Sequence, residues 1–397
     1  METSESIGKD AHVLQVLVLD GGFGTTLEDM FHQNISTPLW SAKPIEDNPA
    51  LIIETHLAFL RAGADVILTS TYQCAFSTFE RCGYGKDDAK RIMCKAIKLA
   101  AEARRRFVNE QADSGAWATA RRINIALSLG PFGATLSPAQ EFDGFYPPPY
   151  GPRGYSEDGK NCNAFQDTQE GRRLEEEAID ALTAFHLERL RVFTEDRDVW
   201  DLIDFIAFET VPLTREVKAI RRAVGMLQNE TGVAEMKPWW IGTVYPGGRF
   251  PEERTQGGER LRACDVAEAA LGQKGRIQTP HPWGLGINCT EPKYLGGLLQ
   301  EMTSAVGHIL NGKQKPWLVV YPNRGDAYDP ATQTWSTGEP PAVGEGWARR
   351  LCEMAQPILK QEVWHGVIVG GCCKTGPAEI AALAREARKE HLGIDEA

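Results

Sequence analysis

The chain has 397 residues, 42% hydrophobic and 24% charged, with a formal net charge of −11. This is the balance of a folded globular protein of one large or two ordinary domains, and the acidic excess argues against a nucleic-acid surface and gives no hint of an anionic-membrane partner. No run nears the ~20 apolar residues of a membrane span, residues 1–12 form a polar N-terminal extension with no secretory core, and nine scattered cysteines fit a reducing, cytoplasmic compartment better than a disulfide framework.

Residues 16–19 form a short apolar strand that ends in Asp20, Gly21 and Gly22. The turn lacks the Gly-Lys-Ser/Thr ending of a phosphate loop and the G-x-G-x-x-G of a dinucleotide site. Its glycines predict a backbone that comes close to a small ligand, whose ammonium or carboxylate would meet Asp20 and the loop amides. Residues 48–62 carry apolar side chains at helical spacing. Asn48 is the cap, Pro49 the first helical residue and Gly63 the terminator. A strand over 64–68 then runs into Thr69, Ser70, Thr71, Tyr72 and Gln73, and a helix with a solvated charged face is expected over 86–108.

A buried strand over 123–129 ends at Gly130-Pro131-Phe132-Gly133. Residues 137–169 are rich in Pro, Gly, Tyr and Asp and predict a long irregular loop, of the kind that covers sites or moves. Strands of the same kind resume after it, so it is no domain boundary. A helix over 172–194 leads to a strand over 202–211 that ends in Glu209 and Thr210, with Pro212 opening the next helix. Further strands are expected over 239–244, 283–290, 317–323 and 366–371. Helices are expected near 259–271, 292–306, 344–360 and 378–389. No histidine has ligand spacing, and His56 and His186 are expected at the surface or as satisfied core residues.

Eight strand–helix alternations are the count of a (β/α)₈ TIM barrel in a single domain. A doubly wound open sheet would carry fewer units and a cofactor fingerprint. Asp20, Thr71, Glu209, Cys289 and the adjacent Cys372 and Cys373 all fall at carboxyl ends of expected strands, the end of such a barrel where sites are built. Cys-Cys alone also fits two inert core residues; its register with the polar strand ends favours a site.

Two thiolates do not complete a zinc site, and Cys289, at the end of another strand, is the candidate third ligand. Cys289, Cys372 and Cys373 would then form a Cys₃ zinc centre with one open position, as in catalytic rather than structural sites. Thiolates disfavour magnesium and calcium. Three of them make zinc a weak Lewis acid for water but still hold an incoming thiol as thiolate, which favours thiol alkylation over hydrolysis. A thiol-based zinc or redox sensor on a barrel scaffold is the non-catalytic alternative.

These residues resemble the zinc-dependent homocysteine S-methyltransferase family, from about residue 17 to 382. The matching stretches are Leu19-Asp20-Gly21-Gly22, Leu39-Trp40-Ser41-Ala42, Ala62-Gly63-Ala64-Asp65, Thr69-Ser70-Thr71-Tyr72-Gln73, Gly130-Pro131-Phe132-Gly133-Ala134, Phe208-Glu209-Thr210, Gly286-Ile287-Asn288-Cys289-Thr290, Tyr321-Pro322-Asn323 and Gly370-Gly371-Cys372-Cys373. The resemblance implies a homocysteine-binding barrel over 13–393, Zn²⁺ on Cys289, Cys372 and Cys373, and homocysteine sulfur in the open position. Glu209 would meet the amino group and Asp20, Gly21 and Gly22 the amino-acid end, with Thr71 and Asn288 in the same substrate-binding set. Trp40 and Tyr72 look more like the branch using S-methylmethionine or S-adenosylmethionine than the betaine branch, and a selenocysteine-type relative of the same fold is a further reading. Trp40, Tyr72, Phe132 and Tyr146 are the aromatics that would face a cationic donor. Lys374, where the family usually has arginine, Gly376, where it often has threonine, and the long loop over 144–169 depart from the pattern.

Overall fold

The computed structural model describes residues 15–35, 37–113, 121–231, 236–273, 279–310, 314–329, 334–336 and 344–389. Eight apolar runs form parallel strands: β1 (Gln15–Val18), β2 (Val66–Leu68), β3 (Asn124–Leu129), β4 (Phe205–Val211), β5 (Trp239–Thr243), β6 (Gly284–Asn288), β7 (Trp317–Tyr321) and β8 (Gly366–Val369). Each pairs with its chain neighbour from β2 to β7, and β8 lies between β7 and β1. The sheet closes through a parallel bridge between Leu19 and Val66, with Asp20 N–H donating to Val66 O at 3.0 Å. One or more helices follow every strand, so the architecture is a (β/α)₈ TIM barrel.

Side chains alternate across the wall, as a pleated strand requires. On β4, Phe205 and Ala207 point into the barrel while Ile206 and Phe208 pack under the helices. The next inward position is Glu209. At the amino end, Phe205, Trp240, Trp283 and Trp317 close the barrel, with the Trp283 and Trp317 rings stacked 4.5 Å apart. This apolar floor leaves the carboxyl end as the polar one.

The helix Pro49–Ala62 shows how local chemistry sets the elements. Asn48 caps it by accepting from Leu51 N–H, and Gly63 ends it in the left-handed region at φ 111°. A Cβ on Gly63 would also lie 2.7 Å from Ala384 Cβ, so both conformation and packing require glycine there. Other boundaries differ from the sequence expectation. Residue 202 ends a short helix, Arg197–Leu202, capped by Asp196, and β4 begins only at Phe205. The helix expected from Pro212 starts at Thr214, and the one expected from 259 starts at Ala263. The hairpin of Ala327–Asp329 with Thr334–Ser336 was not expected.

The loop after β3 is irregular from 137 to 168, as its composition predicts, and it is stitched to its neighbours. The Asn163 amide donates to Asp143 O (2.7 Å) and Pro251 O (2.8 Å) and accepts from Glu253 N–H (3.0 Å). Buried Arg215 donates to Asn163 O and to Glu252 Oε1, the latter at 2.8 Å. Tyr146, expected at the donor site, is fully buried beneath this loop, and its hydroxyl donates to Glu216 Oε2 at 2.8 Å. Glu216 also accepts from Phe132 N–H and bonds His186 Nε2. His186 is thus a core residue with one bonded nitrogen. His56 departs from expectation: it is buried against the Phe23 ring and neither nitrogen has a partner.

Candidate metal centre and its rim

Beyond β8 the ladder continues through Gly370 N–H to Val320 O and Gly371 N–H to Asp20 O, both 3.0 Å, and Cys372 N–H donates to Pro322 O at 2.8 Å. The chain then turns, with Lys374 in the left-handed region at φ 63°. Cys289 follows β6, also left-handed at φ 46°. These turns bring the sulfurs of Cys289, Cys372 and Cys373 within 4.8 Å of one another, all partly buried. Cys289 and Cys372 form a disulfide with Cα atoms 5.5 Å apart, and the Cys372 and Cys373 sulfurs are 4.0 Å apart. Tetrahedral zinc with bonds near 2.3 Å needs sulfurs ~3.8 Å apart, so the donor set fits that ion once the disulfide is reduced. Among the described residues it is the one group of three metal-ligating side chains.

The glycine turn after β1 packs against the cysteine turn. A Cβ on Gly21 would lie 2.3 Å from Thr375 O, and one on Gly22 2.5 Å from Cys372 O. Gly22 N–H donates to Thr375 O at 2.8 Å, and Lys374 N–H to Thr25 Oγ1 at 3.0 Å. Gly21 and Gly22 therefore admit the backbone of the cysteine turn.

Two carboxyls stand beside the sulfurs. Glu209 Oε1 accepts from Ser128 Oγ, and the Tyr321 hydroxyl is also bonded to this carboxyl. Burial pushes Glu209 up to about 7, with those two hydrogen bonds pulling it back. Asp20 is fully buried; Oδ2 accepts from Leu68 N–H at 2.9 Å and Oδ1 has no partner. Burial holds its pKa well above the usual range, and the charge of Glu209 adds to this.

Thr71 is buried beside Ser128. Its hydroxyl donates to Ser128 O and bonds Thr69 Oγ1, both at 2.7 Å, and so orients the serine that holds Glu209. Asn288 grips Thr210: Oδ1 accepts from Thr210 N–H and Nδ2 donates to Thr210 Oγ1, both at 2.8 Å. Thr210 is left-handed at φ 58°, where β4 shifts register against β5. Tyr72 and Trp40 are partly buried with ring centroids 6.4 Å apart, edge to face, and the Tyr72 hydroxyl meets the Thr210 side chain. Buried Arg189 fixes this turn by donating to Cys74 O, Gly130 O and Tyr72 O. Phe132 instead stacks on Tyr150 at 3.9 Å.

Sequence reasoning missed Glu141 in the long loop. Its Oε2 is buried without a partner, and its charge, after burial, is the foremost influence raising the Cys373 thiol to about 12. Only the folded path of the loop brings this acid to the rim.

Fold and rim together define a barrel enzyme with a three-sulfur centre at its carboxyl mouth. A family model described as homocysteine S-methyltransferase matches residues 17–387, and the chain belongs to that family. It is similar to homocysteine S-methyltransferase 1 of Arabidopsis thaliana, 28% identical over 94% of this chain and 93% of that protein. It is likewise similar to selenocysteine Se-methyltransferase of Brassica oleracea var. italica, 29% identical over 92% of this chain and 87% of that one. The metallated form of the homocysteine methyltransferase MmuM from Escherichia coli superposes with a TM-score of 0.61 at 27% identity, covering 94% of this chain and 96% of that one. The oxidized form of the same enzyme gives the same TM-score. This protein is accordingly an enzyme that transfers methyl groups to homocysteine, which replaces the sensor reading. Among the described residues no helix is long and apolar enough to cross a membrane.

Proposed function

We propose that the chain moves a methyl group from a sulfonium donor, S-methylmethionine or S-adenosylmethionine, to homocysteine. Cys289, Cys372 and Cys373, reduced, would hold Zn²⁺. The ion supplies a lowered thiol pKa, so that homocysteine sulfur is a nucleophile near neutral pH. Support for this reading comes from three converging sulfurs beside two buried carboxyls that lack a cation.

In this reading the chain's own residues bind and orient. Glu209, held by Ser128 and Tyr321, takes the homocysteine ammonium, which restores its ionised form. Asp20 contributes its free Oδ1 to the same amino-acid end. Asn288 and Thr71 set Thr210 and Ser128, and through them the position of Glu209. Trp40 and Tyr72 offer ring faces to the donor cation. Attack forms the new S–CH₃ bond as the donor S–CH₃ bond breaks, and the electron pair stays on the donor as a neutral thioether. The thiol proton leaves to solvent when homocysteine binds, so the transfer step itself needs none and its rate comes from alignment.

The test is methionine formation by reduced, zinc-loaded protein given homocysteine with S-methylmethionine, S-adenosylmethionine or betaine. Turnover with a sulfonium and none with betaine is expected; turnover with betaine alone would overturn the donor assignment. The resemblance to a selenocysteine enzyme motivates one further arm, selenocysteine as acceptor.

A further inference from the structure

Glu141 is a partly buried acid without a counter-charge. It lies in the turn 140–144, fastened by Gln140 N–H to Gly133 O and Gly144 N–H to Gln140 O, both 2.9 Å. The turn has no slack, because a Cβ on Gly133 would lie 2.7 Å from the Gln140 carbonyl. Oε2 of Glu141 is buried and accepts no hydrogen bond. Among the described residues no lysine or arginine forms an ion pair with it, and its charged neighbour is another acid, Asp143. A carboxylate oxygen removed from water without a partner is costly, so a fixed turn that holds Oε2 there points to a ligand that brings the cation.

The surroundings say which ligand. Apart from burial, Glu141 is the foremost charge acting on both the Cys373 thiol and the Tyr72 hydroxyl. Its turn lies on the Tyr72 side of the mouth: Gln140 packs on Gly133, and three residues earlier a Cβ on Gly130 would lie 3.0 Å from the Tyr72 ring, which pairs with Trp40. The homocysteine ammonium already has Glu209 and Asp20 deeper in the barrel. A carboxylate opposite aromatic faces is a cation site.

We infer that Glu141 is a specificity residue for the methyl donor, its carboxylate pairing with a cationic group of that donor, the sulfonium or the α-ammonium. The inference rests on the sulfonium-donor reading. Attraction to the sulfonium is greatest before reaction and fades as its charge is lost. Attraction to the ammonium is the same throughout. In either case the contact serves donor binding rather than kcat.

The experiment compares reduced, zinc-loaded wild type and Glu141→Gln with two donors: S-methylmethionine, and dimethylsulfonioacetate, which has the sulfonium but no ammonium. Donor KM is measured with homocysteine saturating, donor Kd by calorimetry without homocysteine, and thermal stability alongside. The expected result is a donor KM and Kd raised at least tenfold, kcat within about twofold, homocysteine KM unchanged and a melting temperature no lower than wild type. A rise with both donors assigns the sulfonium; a rise with S-methylmethionine alone assigns the ammonium. Unchanged donor constants, or a rise in homocysteine KM instead, overturn the inference while the donor reading stands. Wild type that neither binds nor uses either sulfonium overturns both.

Discussion

The side-chain amide of Asn288 spans both polar groups of Thr210, accepting from its N–H and donating to its hydroxyl at 2.8 Å each. Thr210 follows Glu209 and Asn288 precedes Cys289, so one amide locks the buried acid of β4 to the sulfur of β6. Both Thr210 and Cys289 are left-handed, a conformation that a non-glycine residue keeps only when its neighbours enforce it. Asn288→Ala leaves a buried N–H unpaired and is expected to cost about 1–3 kcal/mol. It should also lower kcat/KM by roughly tenfold or more through misplaced Glu209 and Cys289. Asn288→Asp, which keeps the acceptor, should recover part of the stability. Denaturant unfolding and steady-state kinetics decide; a neutral Asn288→Ala would show that the bulge holds itself.

The three sulfurs should act as one unit. Serine at Cys289, Cys372 or Cys373 is expected to reduce bound zinc well below one equivalent and methyl transfer by more than about 100-fold, beyond the effect of removing an outer partner. Serine at Cys82, a free and partly buried cysteine, should leave both unchanged. Metal analysis of the reduced proteins separates the cases. Full metal content after loss of Cys373 would remove it from the ligand set.

Glu209 makes stability depend on pH. Its carboxyl ionises near 4.5 when unfolded but near 7 in the fold. The folded chain holds the extra proton between those values, so stability falls as pH rises through that window and the full penalty is present above it. A shift of that size corresponds to about 3 kcal/mol. Glu209→Gln should therefore melt higher than wild type at pH 8 and no differently at pH 4.5. Equal melting at pH 8 would mean that the ionised acid is already compensated in the free protein.

Tyr146→Phe tests a residue whose aromatic character suggested the donor site. Its hydroxyl donates to Glu216 in the core, so the variant should lose about 1–2 kcal/mol while donor KM stays within twofold. A raised donor KM without loss of stability would return Tyr146 to the rim.

How far the sequence could be read depended on distance along the chain. Asn48, Pro49 and Gly63 bound their helix by contacts within it, and the composition of 137–168 already excludes regular structure. The apolar runs were legible as barrel strands, and their polar ends marked Asp20, Glu209 and the cysteines. What was not legible needed a partner far away. Nothing local shows that Thr375 and Cys372 press on Gly21 and Gly22. Tyr146 suggested a cation face because Glu216, seventy positions on, was not yet beside it. The left-handed Thr210 and the orphan oxygen of Glu141 have no one-dimensional signature.

Asn163, Arg215 and Glu252 moor the excursion after β3 to the segment 251–253 and to the helix Thr214–Thr231. The span between Tyr146 and Asn163 is thereby tethered at both ends. It can diverge or lengthen between relatives with the barrel left intact, while Trp40, Tyr72 and Glu141, the residues proposed to face the donor, lie outside it and keep their places.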